Sequence, residues 1–307
     1  MLYRNFATQE ELDAQYDLEG TVPNVSLYAD FYAKESEKVR AELEHRLDVP
    51  FGPTLAEHLD LYPAPGRGVE SAHPAPVLVY LHGGYWRSRT SKEFGFIARG
   101  PASEGVATVV VNYALCPEVT IDEIVRQARA ALAWTYKNAE SFGGDPESIH
   151  VAGHSAGGHL AAMLLVTDWE GVYGLSGNVI KGACAISGLF DLAPFPYTFL
   201  QPKLQLTWDQ VSRNSPILHL PDEAPPLLVT YGEAEPAELR RQSEDFFAAW
   251  KTKGLSTNLL PLPGKNHYDV IDGFLDAESP LCSAILEWMG IRRSMPTVGE
   301  SSVESGL

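Results

Sequence analysis

From residue 77 onward, short uninterrupted apolar runs alternate with longer segments in which apolar residues recur at helical spacing. The runs are typical of strands buried on both faces of a parallel sheet, and the periodic segments are typical of helices with one buried face. The runs predict strands at 77–81, 106–111, 148–152, 179–186, 227–231 and 257–262. The periodic segments predict helices at 121–137, 156–166, 238–253 and 279–289. Together they predict an α/β fold in which helices cover both faces of a mostly parallel sheet.

The region before residue 77 follows a different pattern. Residues 1–50 are polar, and their apolar side chains recur at helical spacing, which predicts a helical segment packed on the main body. The positions that carry this pattern are Tyr28, Phe31, Tyr32, Val39, Leu43 and Leu47. Residues 57–62 predict a first strand, and the Pro- and Gly-rich residues 63–76 predict a loop.

The length and composition favour one domain. The chain has 307 residues, of which 45% are hydrophobic, and a single α/β domain commonly reaches this length. We expect one domain over 1–291, in which 1–50 form the N-terminal helical segment and 188–214 form a small cap insertion. Residues 292–307 are short of apolar side chains, so we expect a disordered tail there.

The charge and the lack of targeting signals exclude several classes of partner. The chain has 23 Lys and Arg residues against 40 Asp and Glu residues, a formal net charge of -17 at pH 7. A surface this acidic repels phosphate backbones and anionic lipids, so we expect neither nucleic acid nor a membrane as a partner. No signal peptide is visible at the N-terminus. We therefore expect a cytoplasmic protein, and the sequence is compatible with a homodimer.

Residues 153–157 carry a Gly-x-Ser-x-Gly pattern between a predicted strand and a predicted helix. This is the context of a nucleophile elbow, in which a sharp turn exposes a serine hydroxyl at the end of a strand. Around Ser155, Gly153, Ala156, Gly157 and Gly158 are small, as such a turn demands. A phosphate-binding loop is the alternative, but the glycine spacing fits neither the dinucleotide-binding nor the Walker pattern. We therefore predict Ser155 as a nucleophile.

A second pattern, His-Gly-Gly-Tyr-Trp at 82–86, directly follows the predicted strand at 77–81. Acyl transfer passes through a tetrahedral oxyanion that needs preorganised N–H donors, and paired glycines let the backbone approach that oxygen closely. We predict an oxyanion hole formed by the N–H groups of Gly83, Gly84 and Ala156, the last of which follows the nucleophile.

Aromatic residues lie beside the predicted oxyanion hole. Tyr85 and Trp86 follow the two glycines directly, and we predict that they bind an apolar or aromatic substrate. Three further aromatic residues lie in the predicted cap: Phe195, Tyr197 and Phe199. Core packing is the alternative role for each of these five side chains.

The general base should follow the nucleophile in this chain order. The chain has nine histidines, and the two late ones are His219 and His267. His219 lies among prolines and leucines in a predicted connection, whereas His267 lies in a loop between the predicted strand at 257–262 and the last helix. A loop in that place can hold an imidazole over the strand ends. We predict His267 as the base.

The carboxylate that orients the base should follow the strand at 227–231. That stretch offers Glu233, Glu235 and Glu238. We favour Glu235, three residues past the glycine that ends the strand, because a carboxylate there can orient and stabilise the imidazolium. Glu233 stays open as an alternative, and so does Asp191, which follows the preceding strand.

The sequence gives no indication of a metal site. His150, His154 and His159 lie close together, but they lack the HExxH pattern and the spacing that would place them on one helical face with a carboxylate. The three cysteines form no CxxC pair, so neither a thiolate metal site nor a disulfide framework is predicted. We expect no metal and no cofactor.

These motifs together resemble the kynurenine formamidase (arylformamidase) branch of the α/β-hydrolase superfamily, near the hormone-sensitive-lipase-like esterases. The motifs are HGGYW at 82–86, NYALCPE at 112–118, GHSAGGH at 153–159 and NHYD at 266–269. HGGxW is the distinguishing one, and the resemblance covers residues 50–290. It implies the α/β-hydrolase fold, with Ser155 as nucleophile and His267 as base. The acid is Asp in many members of the family, where this chain has Glu235.

The resemblance implies hydrolysis of N-formylkynurenine to kynurenine and formate. We expect a serine hydrolase that cleaves a small-molecule acyl substrate, a formyl or acetyl amide or ester of an aromatic compound, through an acyl-enzyme. Two alternatives stay open: a general short-chain carboxylesterase and a non-catalytic hydrolase-fold protein that binds a ligand or a partner. Proteins of the second kind commonly lack the serine, the base or the acid, whereas this chain has candidates for all three.

Overall fold

An eight-stranded sheet forms the centre of the computed structural model, which describes residues 1–69 and 71–292. The strands are β1 (Arg46–Pro50), β2 (His58–Tyr62), β3 (Ala75–Leu81), β4 (Ala107–Val111), β5 (Gly144–His154), β6 (Gly182–Ile186), β7 (Leu227–Gly232) and β8 (Thr257–Leu262). The helices are α1 (Gln9–Tyr16), α2 (Ser26–Glu42), α3 (Arg99–Ser103), α4 (Ile121–Asn138), α5 (Ala156–Leu165), α6 (Trp169–Tyr173), α7 (Gln201–Leu204), α8 (Trp208–Arg213), α9 (Ala237–Thr252) and α10 (Pro280–Trp288).

The sheet is parallel except at one edge. Its strand order is β1-β2-β4-β3-β5-β6-β7-β8, and only the pairs β1–β2 and β2–β4 are antiparallel. The carboxyl ends of β3, β5, β6, β7 and β8 therefore lie along one edge of the sheet, where ligands bind in open α/β folds. The predicted fold class, a mostly parallel sheet between helices, is confirmed.

Side chains of the central strands enter two separate cores. Along β3, Val77, Val79 and Leu81 pack into one cluster, whereas Leu78 and Tyr80 pack into the other. This alternation follows from the two-residue period of a strand. Helices α4, α5 and α9 cover the first face, and α2 and α10 cover the second. Burial on both faces explains why these strands are uninterrupted apolar runs in the sequence.

The N-terminal 50 residues differ from the single helical pattern predicted for them. Two helices, α1 and α2, flank a connection that contains Gly20 and Pro23, and α2 ends at Glu42. Residues 46–50 form strand β1, on which Leu47 is 37% exposed rather than part of a buried helical face. The prediction failed there because β1 is held by antiparallel pairing with β2, a partner later in the chain.

Other boundaries shift in ways that matter for the site. Strand β5 continues to His154, so that Ser155 follows it directly, and β6 begins only at Gly182. The predicted cap at 188–214 contains the short helices α7 and α8.

The predicted disordered tail lies outside the described residues apart from Arg292, which pairs with Glu104 and Glu278. Among the helices described, none has the length and apolar character required to cross a bilayer.

Gly157 provides a test of how closely α5 packs on the sheet. A Cβ built on Gly157 would lie 1.9 Å from the backbone oxygen of Leu81, so Gly157→Ala must push α5 away from β3. We expect a loss of about 1–3 kcal/mol or more in the free energy of unfolding, measured by urea denaturation. Helix propensity alone would instead stabilise the alanine variant by about 1 kcal/mol.

Gly177→Ala is the matched control, because a Cβ there would lie 3.4 Å from its nearest neighbour, the flexible side chain of Glu170. Its unfolding free energy should change by less than about 0.5 kcal/mol. An unchanged or raised stability of Gly157→Ala would contradict the close backbone contact.

Candidate active site

The turn at Ser155 is sharp and strained. Ser155 has φ 57° and ψ -118°, a conformation that costs a non-glycine residue about 1–3 kcal/mol. Two backbone hydrogen bonds hold it: Ser155 N donates to Ile186 O at 2.8 Å, and Ser155 O accepts from His159 N at 3.0 Å. The serine lies between the last residue of β5 and the first residue of α5. This is the backbone geometry of a nucleophile elbow.

His267 and Glu235 form a buried pair. His267 Nδ1 lies 2.9 Å from Glu235 Oε2, and both side chains are at most 3% exposed. Oε1 of the same carboxylate accepts from Ser187 Oγ at 2.5 Å and from Gly232 N at 2.7 Å. These donors replace the water that the carboxylate loses on burial. Because a carboxylate only accepts, Nδ1 carries the imidazole proton and Nε2 keeps the lone pair that a base needs.

The other candidates for the acid and the base lie elsewhere. Glu233 is exposed, and Asp191 accepts hydrogen bonds from Tyr3 Oη at 2.9 Å and from a neighbouring backbone N–H. His219 is bound to the backbone oxygen of Ser212 on the surface. Of the three carboxylates left open by the sequence, Glu235 is the one that the structure brings to His267.

Ser155 and His267 line one cavity of about 210 Å³. The described side-chain contacts join His267 to Glu235 and include no hydrogen bond between His267 and Ser155 Oγ. In acyl-transfer enzymes this bond is often long until the substrate is bound. Ser155, the candidate nucleophile, and His267, the candidate base, therefore line the same cavity.

The loop after β3 brings N–H groups to this cavity. The backbone N–H groups of Gly83, Gly84 and Ala156 have no acceptor within residues 1–69 and 71–292. The loop passes through three left-handed residues in succession, Gly84 (φ 113°), Tyr85 (φ 50°) and Trp86 (φ 55°). Free N–H groups beside a candidate nucleophile are the arrangement that stabilises an oxyanion.

Comparison with known proteins places this geometry in a family. The BD-FAE family model matches residues 59–250. The chain belongs to the BD-FAE family. It is similar to the kynurenine formamidase of Salmo salar, with 33% identity over 83% of this chain and 85% of that protein. It is also similar to the kynurenine formamidase of Danio rerio, with 30% identity over 92% of this chain and 97% of that protein.

A solved structure agrees with these relatives. The structure of a putative thioesterase from Silicibacter sp. TM1040 has a TM-score of 0.78, is 30% identical, and covers 90% of this chain and 98% of that chain. The resemblance to the formamidase-like branch of the α/β hydrolases is thereby confirmed. This BD-FAE protein is a hydrolase of esters or amides.

Six of the 18 residues that line the cavity of this BD-FAE hydrolase come from the N-terminal segment. They are Tyr16, Asp17, Leu18, Glu19, Val25 and Tyr32. Sequence reasoning missed them, since it assigned the whole of 1–50 to a helical segment packed on the body. The breakers Gly20 and Pro23 are the signal that a loop lies there. Of the predicted cap at 188–214, Phe199 lines the cavity.

Of the two residues predicted to bind substrate, one lines the cavity and the other does not. Tyr85 lines the cavity, and its Oη donates to Tyr16 O at 2.9 Å. Trp86 does not line it: the ring is fully buried and packs edge-on against Phe195, with 5.7 Å between centroids. The expectation of a substrate contact is therefore corrected for Trp86. The reason is the left-handed backbone at 84–86, which turns the indole away from the cavity into the core.

The three aromatic residues of the predicted cap differ in whether they line the cavity. Phe195 is fully buried against Tyr16 at 5.0 Å, so it belongs to the core. Tyr197 packs on Trp208 at 5.7 Å outside the cavity. Phe199 is 38% exposed, and the guanidinium of Arg87 lies 6.0 Å from its ring centroid. Of these three aromatic residues of the predicted cap, Phe199 is therefore the one that lines the cavity.

Three buried histidines close to Ser155 in the sequence have lowered pKa values. Burial lowers the pKa of His150 and of His159 to about 4. Burial, and then the neighbouring His267, hold the pKa of His154 well below its usual range, with ring centroids 4.6 Å apart. In the described part of the chain, no group of three or more His, Cys, Asp or Glu side chains is arranged to hold a metal. His150, His154 and His159 are therefore neutral buried rings at neutral pH.

Ser187 is a further functional candidate that sequence reasoning missed. It follows β6 directly, is fully buried, and donates to the Glu235 carboxylate. Its place immediately after a predicted strand that ends at the site edge was the available signal.

Glu235→Gln tests the role of the buried carboxylate. Ser187 and Gly232 both donate to Oε1, so the amide oxygen of the substituted side chain should take that place and turn the amide N–H₂ toward His267 Nδ1. This favours the wrong imidazole tautomer. We expect kcat for p-nitrophenyl acetate to fall on the order of 10³–10⁴-fold, with KM changed much less.

The matched control is Glu233→Gln, which makes the same chemical change on an exposed carboxylate two residues away. Its kcat should stay within about twofold of the wild type. A near-neutral Glu235→Gln, or an equal loss in Glu233→Gln or Asp191→Asn, would show that Glu235 is not the acid.

Proposed function

We propose that this BD-FAE hydrolase cleaves a small acyl group from an aromatic amine or alcohol by covalent catalysis at Ser155. The observation that carries the proposal is the buried His267–Glu235 pair, 2.9 Å apart, beside the same cavity as the strained serine. A base oriented by a carboxylate, next to a serine on a strand–helix elbow, is the arrangement that activates a hydroxyl nucleophile.

In the acylation step, His267 Nε2 accepts the proton of Ser155 Oγ as Oγ bonds to the substrate carbonyl carbon. The carbonyl oxygen becomes an oxyanion that accepts hydrogen bonds from the free N–H groups near Gly83, Gly84 and Ala156. When the carbon–nitrogen or carbon–oxygen bond breaks, the leaving amine or alcohol takes the proton from His267. The acyl group remains as an ester on Ser155.

In the deacylation step, His267 accepts a proton from a water molecule that attacks the acyl carbon. The ester bond to Ser155 then breaks, Oγ recovers the proton from His267, and the free acid leaves. Glu235 stays ionised throughout and stabilises the imidazolium that forms twice in each cycle. The cycle needs no cofactor.

The walls of the cavity support an aromatic leaving group. Aromatic side chains line it on several sides: Tyr16, Tyr32, Tyr85, Phe94, Phe199 and Tyr268. Flat rings offer stacking and edge contacts to an aromatic ligand, and about 210 Å³ leaves little room for a long acyl chain. The similarity to kynurenine formamidases supports an N-formyl arylamine, with N-formylkynurenine as the first substrate to test.

A general short-chain carboxylesterase is the second candidate. It is favoured by the similarity to the esterase LipC of Mycobacterium tuberculosis, which is 30% identical over 75% of this chain and 61% of that protein. Turnover of N-formylkynurenine compared with that of p-nitrophenyl acetate separates the two, because a dedicated formamidase has the higher kcat/KM on the formamide.

Ser155 should be the covalent nucleophile. A fluorophosphonate probe should label the wild-type protein at Ser155, as located by peptide mass spectrometry. Ser155→Ala should lose nearly all activity, on the order of 10⁶-fold in kcat, because the remaining groups act only through the serine. The urea midpoint should stay near that of the wild type, and a probe adduct on a different serine would refute the assignment.

The acyl preference should fall with chain length. With p-nitrophenyl esters, kcat/KM should be highest for formyl and acetyl, lower for butyryl and lowest for octanoyl. Each methylene in a fitted pocket changes discrimination by about 1–3 kcal/mol, so the decline should be graded. A wild-type preference for octanoyl esters would contradict a small-acyl site and indicate a lipase-like esterase.

Phe199→Ala should lower the preference for phenyl acetate over ethyl acetate, because Phe199 lines the cavity. Tyr197→Ala is its control, since Tyr197 packs on Trp208 instead.

A further inference from the structure

Trp86 connects the loop after β3 to the helix after Ser155. Its indole Nε1–H donates to His159 Nδ1 at 3.1 Å, and the two rings meet edge-on with 5.0 Å between centroids. His159 lies four residues after Ser155, on the first turns of α5. We propose that Trp86 is a positioning residue, which holds the two sources of oxyanion donors at a fixed separation through this bond. The inference rests on the proposed function.

The second hydrogen bond of His159, to Asn214 O, sets the direction of the Trp86–His159 bond. His159 Nε2 lies 2.8 Å from Asn214 O, a group that only accepts, so Nε2 carries the proton and Nδ1 is left as the acceptor for Trp86. The Asn214 side chain in turn donates to Asp122 Oδ1 at 2.8 Å. Trp86 and His159 are both fully buried, so water does not compete for the bond.

The loop has both internal hydrogen bonds and an external anchor. The N–H groups of Gly83 and Gly84 have no acceptor in the described residues, and the next residues are left-handed up to Trp86. Gly84 O accepts from Arg87 N at 3.0 Å and from Ser88 N at 3.1 Å, so these bonds shape the turn, whereas the bonds of Trp86 attach the turn to the rest of the protein. Trp86 is held by its indole N–H and by its own oxygen, which accepts from Cys116 N at 2.8 Å.

The Trp86–His159 bond connects the two halves of the proposed oxyanion hole. One half is the loop that carries Trp86, and the other is Ala156, the first residue of the helix that carries His159. A donor must lie about 2.7–3.1 Å from the oxyanion to stabilise it, so small changes in the separation of the two halves matter. Since Trp86 does not line the cavity, its effect on catalysis passes through position alone.

Trp86→Phe tests this role, because it keeps an aromatic ring against Phe195 and removes the N–H. We expect kcat for p-nitrophenyl acetate to fall about 10- to 100-fold, with KM within about threefold of the wild type. The affinity for phenylboronic acid, which forms a tetrahedral adduct with a serine, should fall with kcat/KM.

Trp250→Phe is the matched control for the loss of packing. Trp250 is fully buried on α9, tilted against Phe246 at 5.4 Å, and its indole N–H has no partner within the described residues. Its kcat should stay within about twofold, although its melting temperature falls at least as far as that of Trp86→Phe. An equal loss of kcat in both variants would reduce Trp86 to a packing role and overturn the inference.

The pair is also tested by a double-mutant cycle. His159→Leu removes the acceptor, and if one bond carries the effect, Trp86→Phe/His159→Leu should have a kcat close to that of the weaker single variant. Multiplicative losses, an unchanged kcat in Trp86→Phe, or an effect confined to KM would overturn it.

Fluorophosphonate labelling of the wild type separates the two proposals. No adduct at Ser155 refutes the proposed function and this inference with it. An adduct at Ser155 together with an unaffected kcat in Trp86→Phe refutes this inference alone.

Discussion

Backbone touches backbone where helix α5 meets the end of strand β3, and this contact sets the dimensions of the site. A side chain on Gly157 would overlap the carbonyl groups of Leu81 and His82. The loop with the free N–H groups leaves the sheet from β3, and the strained serine immediately precedes α5. The end of β3 and the start of α5 are therefore spaced by backbone atoms, which have no rotamers and can move only if a strand buried on both faces moves. The loop beyond His82 is positioned by its own contacts.

The two imidazoles that line the cavity with Ser155 differ in their partners. His267 faces a buried carboxylate that two further donors hold in place, whereas His154, whose ring lies 4.6 Å from that of His267, is buried with its Nε2 unpaired among the described residues. Of these two rings, His267 is therefore the one with a carboxylate beside it.

The sequence could predict the parts of the site that depend on strand ends. Apolar runs identify parallel strands, and the residues just past their carboxyl ends meet at one edge, which is why Ser155, Glu235 and His267 could be grouped without coordinates. The direction of Trp86 could not be predicted in the same way, nor could the edge strand at 46–50. Both are decided by partners distant in the chain, which local periodicity does not register.

The N-terminal lining of the cavity and the proposed reactive groups come from different parts of the chain. Six lining residues lie between 16 and 32, whereas the groups proposed for the chemistry lie between 83 and 267. Among the described residues, four hydrogen bonds join these parts: Tyr85 Oη to Tyr16 O, Gln242 to Tyr16 Oη, Tyr32 Oη to Tyr268 O and Asn266 Nδ2 to Tyr28 Oη. The last two involve the residues on either side of His267. A substitution at 28 or 32 can therefore change both the entrance for a substrate and the support of the His267 loop.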